Sequence, residues 1–278
     1  MLNVQKFSGE LIEFDENKLR KSMLKSGAEA LHVEEILAEI MPILYDGIPT
    51  KKIYRIAFNL LKRKSNALAA RYHLKKSLQE LGPDGFLFEQ FLAQVFLRKG
   101  YQVYTNRFLQ GACLTHETDL ILIKNNQNTL VECKFSSYDK VMDVKIPMYI
   151  LSRFNDLEAV TQKIDAHTFQ FHACWLITNN RFSKDAEIFG TYYGIKLFSW
   201  NYPQGNSLKN WIDEGKFYPI TTLTTITKDE KFLLLQQNIL LVHQLRENQE
   251  SLKLLNLSIN RNRKVLQEIH ELCYLKLE

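Results

Sequence analysis

Asp119-Leu120-Ile121-Leu122-Ile123 and Thr129-Leu130-Val131-Glu132-Cys133-Lys134 read as two apolar strands, joined as a hairpin through Asn125-Asn126-Gln127-Asn128. Three charged side chains stand inside this otherwise apolar pair. Successive side chains of a strand point to opposite faces, so Glu132 and Lys134 share a face, and Asp119, starting the neighbouring strand, can bring its carboxylate toward Glu132. Two close carboxylates repel unless a cation sits between them. Mg²⁺ suits such a place, or Mn²⁺ in its stead: it takes oxygen ligands, here the two carboxylates and the Cys133 main-chain carbonyl, and keeps several waters. Lys134 would orient or help deprotonate an attacking water, or steady charge on a phosphate. A hairpin with one solvated polar face has the same alternation, so periodicity alone leaves both readings open.

Outward from the hairpin, Gly82-Pro83-Asp84-Gly85 breaks the chain and an apolar helix follows from Phe86 to Lys99, then a strand over 101–104. Downstream, Ala173-Cys174-Trp175-Leu176-Ile177-Thr178 predicts a buried strand, Lys184 to Tyr193 a helix and Ile195-Lys196-Leu197-Phe198 a further strand. The sum is a small mixed α/β domain around a central sheet.

The series Asp119…Glu132-Cys133-Lys134, with Phe86-Leu87-Phe88-Glu89 on the preceding helix, resembles the PD-(D/E)xK nuclease core in its Mrr-like restriction endonuclease form. The resemblance extends through Trp175-Leu176-Ile177-Thr178-Asn179-Asn180 and Gly194-Ile195-Lys196-Leu197. It implies a metal site of Glu89, Asp119, Glu132 and the Cys133 carbonyl, with Lys134 as a catalytic lysine. His116-Glu117 resembles a local variant of the motif and marks His116 as a candidate phosphate- or proton-handling group, although most loop histidines are simply solvated. Thr118-Asp119 stands where the family has proline-aspartate, and the carboxylate is kept.

Nearer the N-terminus, Val4-Gln5-Lys6-Phe7 and Glu10-Leu11-Ile12-Glu13-Phe14 flank Ser8-Gly9 as a short hairpin. Asp15 caps a helix running to Gly27, and further helices are predicted over 33–45, 51–64 and 67–81. Val4-Gln5-Lys6…Gly9…Glu13-Phe14-Asp15…Lys18-Leu19…Ser22, with Thr50 and Ala70-Arg71-Tyr72, resembles the ATP-cone, a nucleotide-binding regulatory module. That resemblance implies ATP or dATP as an effector, held by Val4, Lys6, Lys18 and Lys21; Phe7 and Ser8 depart from the pattern. Read without it, the lysines are an ordinary solvated helix face.

Residues 206–278 carry leucine-rich short helices that faintly resemble helix-hairpin-helix elements, with Asn238-Ile239 where a glycine would be expected. Arg261, Arg263 and Lys264 are candidate phosphate contacts there. The four scattered cysteines contain no CxxC pair, which argues against a disulfide framework and a zinc ribbon, and with the latter against a zinc-ribbon transcriptional regulator. A net charge of +5, concentrated in residues 1–80, is too mild to establish a polyanionic partner by itself. No apolar run reaches membrane-span length and no signal pattern opens the chain, so a cytoplasmic protein without membrane association is expected.

The expectation is a multidomain α+β and α/β protein: an ATP-cone over 1–81, an endonuclease-like core over 82–205 and a helical tail over 206–278. The resemblances imply a Mg²⁺-dependent DNA endonuclease that hydrolyses phosphodiester bonds under ATP or dATP control, as a homodimer or higher homo-oligomer. The alternative is a non-catalytic nucleotide- and DNA-binding sensor with the same fold.

Overall fold

The computed structural model describes residues 2–6, 8–165 and 167–274. Two compact units emerge. One takes residues 1–74, 222–236 and 242–278, the other 75–221 and 237–241. The stretch 206–278 is therefore divided between the units, and the first break falls at residue 74 rather than 81.

In the first unit, β1 (Asn3–Gln5) and β2 (Leu11–Glu13) pair antiparallel with Val4 opposite Ile12. Phe7 lies outside the described residues. Asp15 ends the hairpin and starts α1 (Glu16–Leu24), its Oδ1 accepting the Lys18 N–H at 3.2 Å. The helix α2 (Ala30–Ile40) stops short of Tyr45 because Pro42 cannot continue it, and a 3₁₀ turn over Met41–Ile43 replaces its last turn. Next, β3 (Ile48–Pro49) adds to β1 in parallel and leads into α3 (Thr50–Lys64). Ser65 then caps α4 (Asn66–Tyr72), accepting from the Ala67 and Leu68 N–H groups. The single helix expected over 67–81 breaks at His73, whose Nδ1 lies 2.6 Å from the Tyr54 hydroxyl, and resumes as α5 (Leu74–Gln79), which from Lys75 on belongs to the second unit. Val4, Met23, Val33, Ile36, Ile48 and Leu61 form the buried centre.

The second unit carries α6 (Phe86–Arg98), then β4 (Gln102–Gln110), β5 (Thr115–Lys124) and β6 (Gln127–Lys134) as an antiparallel meander. The β5–β6 turn sits on Asn125 and Asn126 with φ of 51° and 58°, left-handed values that asparagine tolerates and a two-residue hairpin requires. After β7 (Val141–Met142) come α7 (Lys145–Glu158), the hairpin β8 (Gln162–Ile164) and β9 (His167–Phe169), and β10 (Ala173–Thr178). The unit continues with β11 (Arg181–Phe182), α8 (Lys184–Tyr192), β12 (Lys196–Phe198) and α9 (Leu208–Gly215). The main sheet has the order β12-β10-β6-β5-β4, with β6, β10 and β12 parallel. One face, including Ile121, Leu130 and Leu176, packs on Ile150, Leu157 and Ala186 of α7 and α8. On the other, Phe96 of α6 meets Trp175 with ring centres 5.9 Å apart.

Asp119 proves to be mid-strand rather than at a strand start, because β5 begins at Thr115. The helix α7, which sequence reading missed, has Ile146, Ile150, Phe154 and Leu157 on its inner side, with Pro147 accommodated in its first turn, where no helical N–H bond is lost.

The first unit is completed by α10 (Lys228–Gln236), α11 (Val242–Glu247) and α12 (Ile259–Tyr274). Glu268 on α12 is fully buried. Its Oε1 accepts the N–H and hydroxyl of Thr224, both at 2.8 Å, and its Oε2 those of Thr225, at 3.0 and 2.6 Å. Thr224 is itself tied to the α3–α4 corner, since its carbonyl accepts from Lys62 Nζ at 2.8 Å. Asn238 stands where a glycine was expected and adopts φ 56°, the conformation glycine would supply. Among the described residues, no helix is long and apolar enough to cross a membrane.

Candidate active site

The β5–β6 ladder runs from Lys124 opposite Gln127 to Leu120 opposite Val131 and then stops. One residue further, the Asp119 side chain takes over, its Oδ2 accepting the Cys133 N–H at 2.6 Å. The open end of the hairpin is thus held by a carboxylate.

Glu132 is 3% exposed. Its Oε1 accepts from Lys134 Nζ at 2.7 Å, and both its oxygens lie 2.8 Å from Arg153 Nη1. Arg153 comes from α7, lies over the Tyr149 ring and also donates to the Glu117 carbonyl. A buried carboxylate between two cations is paid for by neither alone, and removing one would leave uncompensated charge.

Glu89 sits half-buried in the first turn of α6, close to Gly85, where an added Cβ would come within 3.2 Å of its Oε1. Burial, and then the nearby Glu132, raise its pKa. Asp119 is pushed from 3.8 to about 7, first by burial and next by Glu132, with Glu89 adding; the Cys133 N–H and Lys134 oppose the shift. For Lys134, burial works against the charged form, yet Glu132 outweighs it and the ammonium is held above its usual range. Burial, reinforced by Asp119, drives the Cys133 thiol upward, so it is inert at neutral pH.

These are hard oxygen donors whose mutual repulsion a divalent cation relieves, so the donor chemistry fits Mg²⁺ or Mn²⁺. The set is not gathered, however: among the described residues no three His, Cys, Asp or Glu side chains converge closely enough to hold a metal, and Glu132 is turned into its two ion pairs. Arg153 is the group that sequence reading missed. No motif marks it, because its partner lies 21 residues upstream on another element.

His116 has a different setting. Its Nε2 lies 2.7 Å from Asp156 Oδ2, and the same carboxylate accepts the Cys113 and Leu114 N–H groups at 2.7 and 3.0 Å. The histidine therefore ties the β4–β5 turn to α7. An added Cβ at Gly111 would overlap Asp156 Oδ2 and crowd the Leu114 carbonyl. Gly111→Ala is expected to cost about 2 kcal/mol through displacement of this clasp, read as a lowered urea midpoint. An unchanged midpoint would show that the turn yields freely.

In the first unit, a cavity of about 230 Å³ is lined by Val4, Phe14, Asp15, Lys18, Thr50 and Tyr72 among others. It brings together Val4 and Lys18 of the four nucleotide candidates. Lys6 lies at the hairpin tip in a 2.9 Å pair with Glu10, and Lys21 does not line the cavity. Tyr54 stacks on Tyr72 with ring centres 4.9 Å apart, giving the cavity an aromatic wall. In the C-terminal helices Arg261 is committed to Glu230 through two bonds of 2.7 and 2.8 Å.

Residues 218–273 match the family described as AF1548-like, C-terminal. The chain is 28% identical over 178 residues to an uncharacterized protein of Archaeoglobus fulgidus, a match covering 64% of this chain and 97% of that relative. Among solved structures, it is similar to the crystal structure of the protein of unknown function AF1548, with a TM-score of 0.55 and 26% identity, over 68% of this chain and 98% of that one.

Proposed function

We propose that the protein is a metal-dependent DNA endonuclease that hydrolyses phosphodiester bonds at the open end of the β5–β6 hairpin, under the control of ATP or dATP held by the first unit. The observation that carries this reading is the Asp119 carboxylate, half-buried beside Glu132 and Glu89 and pushed to about 7 with a charged lysine next to it. Such a group is costly to maintain for stability alone.

Glu89, Asp119 and Glu132, with the Cys133 carbonyl, are the residues that would hold Mg²⁺ or Mn²⁺, once Glu132 turns from Arg153 and Lys134 and the three carboxylates draw together. Such an ion, when bound, would supply Lewis acidity toward the phosphodiester and toward water. Lys134, kept protonated by Glu132, acts as a cation toward the phosphate and orients water by donation rather than by taking its proton. The Cys133 N–H fixes the Asp119 carboxylate. Lys18 meets the nucleotide phosphates, and the effector works through unequal affinity for two states of the protein. Cutting both strands of a duplex calls for two such sites, hence a homodimer or higher homo-oligomer.

One observation favours the second reading, a sensor without catalysis: Arg153 engages both oxygens of Glu132. Cleavage of supercoiled plasmid separates the two. Wild type and Asp119→Ala are compared with Mg²⁺, Mn²⁺ or chelator, each with and without ATP. Nicking that needs both metal and Asp119 is the expected result. Absence of nicking by folded protein in every condition would leave the sensor.

A further inference from the structure

Along the edge strand β12 of the main sheet, a cavity of about 670 Å³ opens in the second unit, within the range of small-molecule sites. Phe96, Tyr101, Trp175, Phe198 and Trp211 contribute to its walls. Their rings form a connected cluster: Phe96 lies 5.7 Å from Trp211, Phe198 4.5 Å from Trp211, and Trp175 5.2 Å from Phe198. Two of the lining residues are lysines, and no carboxylate is among them. Lys99 Nζ lies 5.2 Å from the Trp211 ring centre and Lys196 Nζ 5.6 Å from that of Trp175. The indole N–H of Trp175 is buried and has no hydrogen-bond partner among the described residues.

Aromatic walls give stacking surface, and the lysine rim excludes a cationic occupant and attracts an anionic one. A flat heterocycle bearing phosphate meets both conditions. We propose that this cleft binds a nucleobase by stacking, with the attached phosphate on Lys99 and Lys196. The site is separate from the carboxylate cluster and does not depend on cleavage.

Of the three tryptophans, Trp175 and Trp211 line this cleft and none lines the cavity around Lys18, so tryptophan fluorescence reports on the cleft. The full chain is titrated with AMP and, separately, with a short oligodeoxythymidine, in chelator so that nothing is cut. Quenching is expected, weakened at least tenfold by the double charge reversal Lys99→Glu/Lys196→Glu and unchanged by Lys18→Ala. Lys196→Glu alone, at an exposed position, gives an intermediate effect and guards against misfolding of the double variant. AMP binding as tightly as the oligonucleotide assigns the cleft to a free nucleotide; a strong preference for the oligonucleotide assigns it to single-stranded nucleic acid. Absence of quenching by both ligands, or quenching that survives charge reversal in a folded variant, overturns the proposal.

Discussion

Asp119→Asn is expected to stabilise the metal-free protein at pH 8 by about 2–4 kcal/mol, an effect that vanishes near pH 4. The sign follows from the direction of the shift. A carboxylate raised from 3.8 to about 7 keeps its proton in the folded chain across a pH window where the unfolded chain has lost it. Folded protein thus binds more protons between those values, and stability falls as pH rises through them. Asparagine cannot ionise, and its carbonyl can still accept the Cys133 N–H. Urea midpoints from pH 4 to 8 give the measurement: the wild-type curve descends relative to the variant, and parallel curves would refute the assignment. Under the proposed function, Mg²⁺ at pH 8 recovers the lost stability in wild type and has little effect in the variant, because the ion replaces the proton as the group neutralising Asp119.

Glu268→Ala is expected to act on folding rather than chemistry, with a loss of about 3–5 kcal/mol. The glutamate satisfies four donors from Thr224 and Thr225 with no solvent exposure. Alanine leaves two main-chain N–H groups without an acceptor and opens a void under the turn. Glu268→Gln, which keeps the shape and one accepting oxygen, should lose about half as much. Chemical denaturation followed by far-ultraviolet circular dichroism distinguishes them, and equal midpoints for Glu268→Ala and wild type would show that water replaces the carboxylate without cost. Since Thr224 also holds Lys62, amide exchange at the α3–α4 corner should quicken in the alanine variant.

The central hairpin was legible because its short continuous apolar runs and its Asn-Asn turn are local signals, and Asp119, Glu132 and Lys134 stood out as charges within it. Capping by Asp15 was equally local. What the sequence did not disclose depends on distant pairings. The setting of His116 is determined by Asp156, forty residues later, and that of Glu132 by Arg153 on a helix whose Pro147 obscured its periodicity. Beta-strand β4 was read over a fraction of its length, since it is a sheet edge and its exposed polar residues follow no alternation. The division of residues 206–278 rests on contacts such as Ser65 to Glu271, separated by 206 positions, which no window of sequence contains.

The threading of the chain has a consequence for biosynthesis. Because the first unit draws its helices from segments on both sides of the sheet unit, the ribosome delivers all of the sheet unit before α12 exists. Until then the N-terminal helices wait with the surface that α12 covers still bare, including Arg71, which binds the Glu271 carbonyl at 3.0 Å. A nascent chain released before α12 therefore carries a completed sheet unit and an unfinished first unit, and the apolar surface left bare on the latter is what a chaperone or protease would meet.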